Sequence, residues 1–163
     1  MCRRRDVNEI IVTVWVGLIS VLAKECVDHP DGRHLVKYLL TFAPAFMVWT
    51  YVRELMNSFW NDDLQQRGLV LFVMVMLVVY GNNAPAVDQN LSEGPARATA
   101  IGAYLVATGG ITFVFLFYSF FVKPWKIQVR AHFLLWIPIL GIWIGAIFAN
   151  ARQAAALAAV AIV

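Results

Sequence analysis

Twenty consecutive residues without a charge, 68–87, constrain this chain more than any other feature. They include the run LVLFVMVMLVVY, in which apolar and polar residues do not alternate. As a helix rising about 1.5 Å per residue, such a run crosses roughly 30 Å of hydrocarbon. A helix satisfies its backbone polar groups within the segment, whereas a membrane strand would alternate apolar and polar side chains. The run therefore predicts a transmembrane helix.

Further apolar stretches predict an all-α fold, a polytopic transmembrane helical bundle. Residues 98–122 carry no charge, and 131–151 contain no charged residue apart from the titratable His132. Residues 38–52 and 10–23 are shorter uncharged stretches. We predict a single domain of about five spans plus an incomplete last helix. The expected ranges are 8–24, 37–58, 64–84, 98–122 and 131–150, with a partial helix at 153–163.

Composition excludes an ordinary soluble domain. The chain of 163 residues is 61% hydrophobic and 14% charged, against roughly 45–50% and about 25% in soluble domains. The lipid bilayer is therefore the expected partner. A net charge of +3 without a basic tract or motif predicts no nucleic-acid partner. Cys2 and Cys26 form no disulfide or metal pattern, so we predict no cofactor and no metal site.

The first apolar segment has a second interpretation. Arg3, Arg4 and Arg5 precede an apolar stretch that ends in small residues near Ala23, which is typical of a signal peptide. Lys24 follows directly and more spans come after it, so a retained first helix is favoured.

The last apolar run, 153–163, has eleven residues and is too short to cross a bilayer. A helix ending in hydrocarbon would leave its last carbonyls without donors. We therefore expect an N-terminal portion of a longer protein. Missing C-terminal helices or a homo-oligomer are the expected partners within the membrane.

Orientation follows from the lysine and arginine residues between the spans. Eight lie on the side of the N-terminus and five on the other. The positive-inside rule therefore predicts a cytoplasmic N-terminus of a multi-pass protein, in either the plasma membrane or an endomembrane.

The second predicted helix carries polar residues on one face. Trp49, Arg53 and Asn57 follow at intervals of four, which places Arg53 next to an aromatic ring and an amide. Glu54 points elsewhere, at about 100° around the helix. Charges at membrane depth are costly and often mark ion or proton paths. The candidate pathway or helix-anchoring residues are Trp49, Arg53, Glu54, Asn57, Asp62, Asp63, Arg67, Asn82 and Asn83.

The same residues have a purely structural interpretation. Asp62 and Asp63 would complement the positive end of the third helix, with Asp63 and Arg67 paired at a spacing of four. Asn82 and Asn83 would mark the end of that helix. Arg53 would reach the headgroups.

The stretch 42–84 resembles the low-temperature-requirement A (LtrA-like) family of membrane proteins, in its fungal form. The pattern W-x3-R-x3-N-x-F-x2-DD-x3-R, from Trp49 to Arg67, carries the resemblance, together with residues 80–84 and the later FLFYSF. The resemblance implies a polytopic membrane protein with more helices than fit here. In the family's first helix a Glu is followed four residues later by an Asp, whereas Glu9 is followed by Thr13 in this chain.

Two functions fit these observations. The first is transport of a small solute, ion or proton, linked through the family to growth at low temperature. The second is a membrane scaffold or assembly protein whose charges only anchor helix ends. The chain has no Ser/His pair, no paired membrane aspartates and no H-E-x-x-H motif, so we predict no enzyme activity.

Overall fold

The structure is a computed structural model that describes residues 3–28, 30–58, 64–88, 94–121 and 126–162. Within these ranges it also describes the side chains, except those of 3–11, 25, 58, 64, 65, 121, 126–128, 132 and 135. The described residues form six α-helices and a short 3-10 turn, without a strand, which confirms the predicted all-α class. The helices are α1 (Arg3–Asp28), α2 (Gly32–Ser58), α3 (Leu64–Asn83), α4 (Ala96–Phe121), α5 (Lys126–Phe148) and α6 (Ala151–Ile162), with the 3-10 turn at Ala84–Ala86.

Four of the described helices, α2 to α5, are long and apolar enough to cross a membrane. Their bounds overlap the ranges expected from the sequence. The crossing of the membrane by α1 stays a prediction. The shorter α6 is apolar as well, and two residues separate it from the end of α5.

α4 lies at the centre of the bundle, in contact with α2, α3 and α5. Glycine allows its close approach to α3, since a Cβ added at Gly110 would lie 3.0 Å from the ring of Phe72. α1 packs on α2 and α3, and α6 packs on α5 and α2. The buried apolar core is built mainly from α2, α3 and α4.

Two helices contain an internal proline, Pro44 in α2 and Pro138 in α5. Proline has no N–H and crowds the preceding turn, so it removes one helical hydrogen bond. Membrane helices tolerate this where neighbouring groups supply a replacement donor. Both proline-containing helices pack against α4.

At one end of the bundle, the last turns of α1, α3 and α5 lie close to the first turns of α2, α4 and α6. Contacts of Arg97 with Val87 and Ala149 join three of these segments. We call this the Arg97 end.

Candidate functional site

Polar side chains line the inward face of α4. Of the six polar or charged side chains that are buried in the described part of the chain, four belong to this helix. With the buried Tyr104 they form a set that we call the polar file: Arg97, Tyr104, Thr108, Thr112 and Ser119. At about 100° per residue, all five positions fall within an arc of about 80° on one helix face. The file therefore runs along the face of α4 that packs on other helices.

Two hydroxyl groups of the polar file, those of Thr108 and Ser119, donate to their own helix. Thr108 Oγ1 lies 2.9 Å from the carbonyl oxygen of Tyr104 and 3.2 Å from that of Leu105. Ser119 Oγ lies 2.6 Å from the carbonyl oxygen of Leu116. Because the proton is used within the helix, each hydroxyl oxygen retains lone pairs directed away from it. These positions present hydrogen-bond acceptors to the bundle interior.

Arg97 is the most deeply buried charged side chain that the structure describes, with 1% of its surface exposed. Its Nε donates to the Val87 carbonyl at 2.8 Å, its Nη1 to the Ala149 carbonyl at 2.5 Å and its Nη2 to the Asp88 carbonyl at 3.3 Å. Burial of a charge is unfavourable unless hydrogen bonds replace its hydration. Here the fork of the guanidinium group joins the segment after α3, the start of α4 and the α5–α6 connection.

Two more cations lie at the Arg97 end. Lys37 Nζ donates to the Pro85 carbonyl and lies 3.1 Å from Asp88 Oδ1. Arg33 reaches the other carboxylate oxygen of Asp88 at 3.8 Å. Asp88 is thus one carboxylate among three cationic side chains, which gives this group of four residues a net positive charge.

A hydrogen bond stabilises α2 close to its proline. Tyr80 Oη in α3 donates to the Thr41 carbonyl oxygen at 2.6 Å, and the contact is buried. Thr41 Oγ1 in turn donates to the Lys37 carbonyl at 2.9 Å. These bonds fix the first turns of α2 against α3 before the chain reaches Pro44.

A small pocket opens between α1 and the first turns of α2. Cys26, His34, Lys37 and Thr41 line it together with four apolar residues, Leu22, Tyr38, Ala84 and Pro85. The pocket is narrow, with room for about one water molecule, and it is partly open to the outside. The residues that line the pocket therefore include cationic, hydroxyl and apolar side chains.

The candidate pathway residues that the sequence predicted are not part of the polar file. Arg53, Glu54 and Asn57 have exposed side chains near the end of α2. Trp49 stacks on Trp15 of α1, with ring centroids 5.6 Å apart and planes inclined by 17°. The spacing of residues within α2 could not predict this contact, because Trp15 belongs to another helix.

The remaining predicted residues are not brought together. Asp62 and Asp63 lie outside the described residues. Arg67 is half-buried, whereas Asn82 is exposed. Asn83 Nδ2 donates to the Val79 carbonyl at 2.8 Å in the last turn of α3. A role of this predicted set in a pathway stays a prediction.

Sequence reasoning missed the polar file, although a signal was present. Tyr104, Thr108 and Thr112 follow at intervals of four in an otherwise apolar run, which places them on one helix face. Among the described His, Cys, Asp and Glu side chains, no group of three or more could hold a metal ion.

Comparison with known proteins gives one match. The family model described as "Bacterial low temperature requirement A protein (LtrA)" matches residues 14–163. No curated protein and no solved structure matches the chain. The matched range covers every described helix from the second half of α1 onwards.

Proposed function

The chain is an integral membrane protein of the low-temperature-requirement A family, and we propose that it transports a small solute, ion or proton along the inward face of α4. The family description connects it to a low-temperature requirement. We propose transport as the process behind that requirement, and the solute is not chemically converted.

The polar file is the observation that supports transport. From Arg97 to Ser119 it covers 23 residues, and the 22 steps between them rise about 33 Å at roughly 1.5 Å per residue, close to the thickness of a bilayer core. Polar side chains inside membrane bundles are unfavourable and commonly line a path for a polar substrate. The acceptor oxygens of Thr108 and Ser119 would replace part of the hydration of a passing solute.

The file is closed in this structure, since all its side chains are buried. Opening it requires a neighbouring helix to move away from α4. Pro44 and Pro138 lie in two helices that pack on α4, and proline positions are where helices bend most readily. We propose that bending at these prolines opens the path.

The proposed orientation keeps the N-terminus in the cytoplasm, because more lysine and arginine residues lie on that side. The Arg97 end then faces the opposite side of the membrane. In this arrangement the cationic group of Arg33, Lys37 and Arg97 surrounds the outer entrance of the path.

A scaffold role is the second candidate, and the bonding of Arg97 favours it. All of the hydrogen bonds found for Arg97 go to backbone carbonyls that hold connections in place. In a scaffold, the hydroxyl groups of α4 would serve helix packing alone. Their removal would then alter stability without altering any flux.

The test is flux in liposomes that contain the full chain and a trapped pH dye, with osmotic swelling in glycerol as a second readout. Thr108→Val and Thr112→Val keep the side-chain shape but remove the buried hydroxyl. Flux should fall by roughly three- to eighteenfold, since a membrane hydrogen bond contributes about 0.6–1.7 kcal/mol.

Thr50→Val is the matched control. Thr50 Oγ1 also donates to its own helix, to the Phe46 carbonyl at 3.0 Å, but it lies on the outer part of the bundle. Its flux should equal that of the wild type. Glu54→Gln and Asp62→Asn test the alternative route at the α2–α3 corner. A folded wild type that moves neither protons nor glycerol, with variants altered only in stability, would favour the scaffold.

A further inference from the structure

The contact between α1 and α2 forms a continuous aromatic seam that ends at the pocket. Trp15 of α1 contacts Phe42, Phe46 and Trp49 of α2 at centroid distances of 6.1, 6.4 and 5.6 Å. Tyr38 stacks on Phe42 at 5.6 Å, and Tyr38 also lines the pocket. We define the seam as Trp15, Tyr38, Phe42, Phe46 and Trp49.

The rings of the seam are open to the surroundings of the bundle. Phe46 is half exposed, and the other four rings are partly exposed. These residues belong to the apolar part of α2, a helix long enough to cross the bilayer. From Lys37 to Phe46, α2 rises about 14 Å, so the seam runs from the entrance of the pocket towards the middle of the membrane.

The pocket end of the seam is cationic. Arg33 has 78% of its side chain exposed, and Lys37 lines the pocket. Asp88 is the carboxylate paired with both, and the buried Arg97 adds positive charge behind it. Arginine binds phosphate through two parallel N–H donors, and lysine adds a point charge.

A cationic pocket joined to an apolar stripe matches an amphiphile with an anionic head. We propose that the α1–α2 seam binds an anionic phospholipid, with its phosphate at Arg33 and Lys37 and one acyl chain along Phe42 and Phe46. The cationic group selects the phosphate, and the depth of the seam selects a lipid over a soluble anion. This binding is separate from transport and would hold in a scaffold as well.

Quenching of tryptophan fluorescence by brominated acyl chains tests the proposal, because Trp15 and Trp49 lie in the seam. The full chain is reconstituted in phosphatidylcholine bilayers that contain, at equal mole fraction, brominated phosphatidylglycerol or brominated phosphatidylcholine. The seam signal is the difference in quenching between the wild type and the Trp15→Phe/Trp49→Phe variant. We expect stronger quenching by phosphatidylglycerol.

Arg33→Gln is the informative variant, because the Arg33 side chain is mostly exposed and its replacement should leave the fold intact. It should lower the preference for phosphatidylglycerol by about fivefold, the effect of one surface charge on anionic-lipid binding. Arg152→Gln is the matched control, since Arg152 is an exposed cation in the first turn of α6, a helix that contributes no ring to the seam. It should leave the preference unchanged.

Three results would overturn the proposal. The first is equal quenching of the wild type by the two lipids. The second is an equal loss in the two arginine variants, which would indicate general attraction by surface charge. The third is full competition by soluble glycerol phosphate, which would assign the pocket to a free anion instead of a lipid.

Discussion

Tyr80 donates its hydroxyl proton to the carbonyl oxygen of Thr41 at 2.6 Å, three residues before the proline that interrupts α2. Pro44 leaves the carbonyl of Leu40 without its helical donor. The Tyr80 hydroxyl donates to the next carbonyl, that of Thr41, so it joins α3 to the turn of α2 before the proline without replacing the missing bond. This cross-helix bond holds the first turns of α2 against the bundle.

Tyr80→Phe should destabilise the protein by about 0.6–1.7 kcal/mol, the range for hydrogen bonds between membrane helices. The reason is that a buried carbonyl loses its external donor. Thermal unfolding in detergent measures the change. Tyr38→Phe, which removes a hydroxyl from a half-buried ring at the edge of the bundle, should leave the unfolding temperature nearly unchanged. Equal effects of the two substitutions would contradict a specific role for Tyr80.

Two glycines of α4 should respond to alanine in opposite directions. A Cβ at Gly110 would lie 3.0 Å from the rigid ring of Phe72, whereas nothing lies within 4 Å of one at Gly102. Gly110→Ala should cost about 1–3 kcal/mol of stability through overpacking. Gly102→Ala should raise stability by roughly 0.5–1 kcal/mol, because alanine restricts the unfolded chain. Unfolding in detergent distinguishes these outcomes, and a stabilising Gly110→Ala would refute the close α3–α4 contact.

Arg97→Lys should destabilise the Arg97 end although it keeps the charge. Lysine cannot reproduce the fork that joins Val87, Asp88 and Ala149. The expected loss is about 1.5–3 kcal/mol, the contribution of hydrogen bonds to a charged group. Hydrogen exchange should become faster at 84–88 and 149–150. Arg152→Lys, at an exposed position of the same end, should leave the exchange unchanged.

Cysteine labelling checks the proposed orientation. Cys2 and Cys26 are the two cysteines of the chain, and replacing both with serine gives a background for single-cysteine variants. Val27→Cys, at an exposed position near the end of α1, should react with a membrane-impermeant maleimide added outside intact cells. Asn57→Cys, at the exposed end of α2, should react only after permeabilisation. The reverse pattern would place the N-terminus outside.

The helices and the family could be predicted because both depend on residues that are close together in the sequence. A long uncharged run such as 68–87 must satisfy its backbone within the segment, so helix and membrane follow from the run itself. The resemblance from Trp49 to Arg67 rests on a local pattern too, and the family match over residues 14–163 confirms it.

The candidate site was not predictable in the same way. Residues such as Arg53 and Glu54 drew attention because charges are rare in this chain, yet both side chains are exposed. Arg97 follows the loop before α4 and resembles an ordinary helix-end cation in the sequence. Its carbonyl partner at Ala149 is 52 residues away along the chain, so its burial depends on the docking of α5 and α6.

The sequence by itself determined that the chain forms long apolar helices. Tertiary structure alone decided which face of each helix points inward, and thus that Thr108 and Ser119 are buried while Phe113 and Phe120 are exposed. The physical reason is the solvent. Lipid is as apolar as a leucine side chain, so hydrophobicity does not set the rotation of a membrane helix. Close packing and hydrogen bonds between helices set it instead, and these require the partners to be in place.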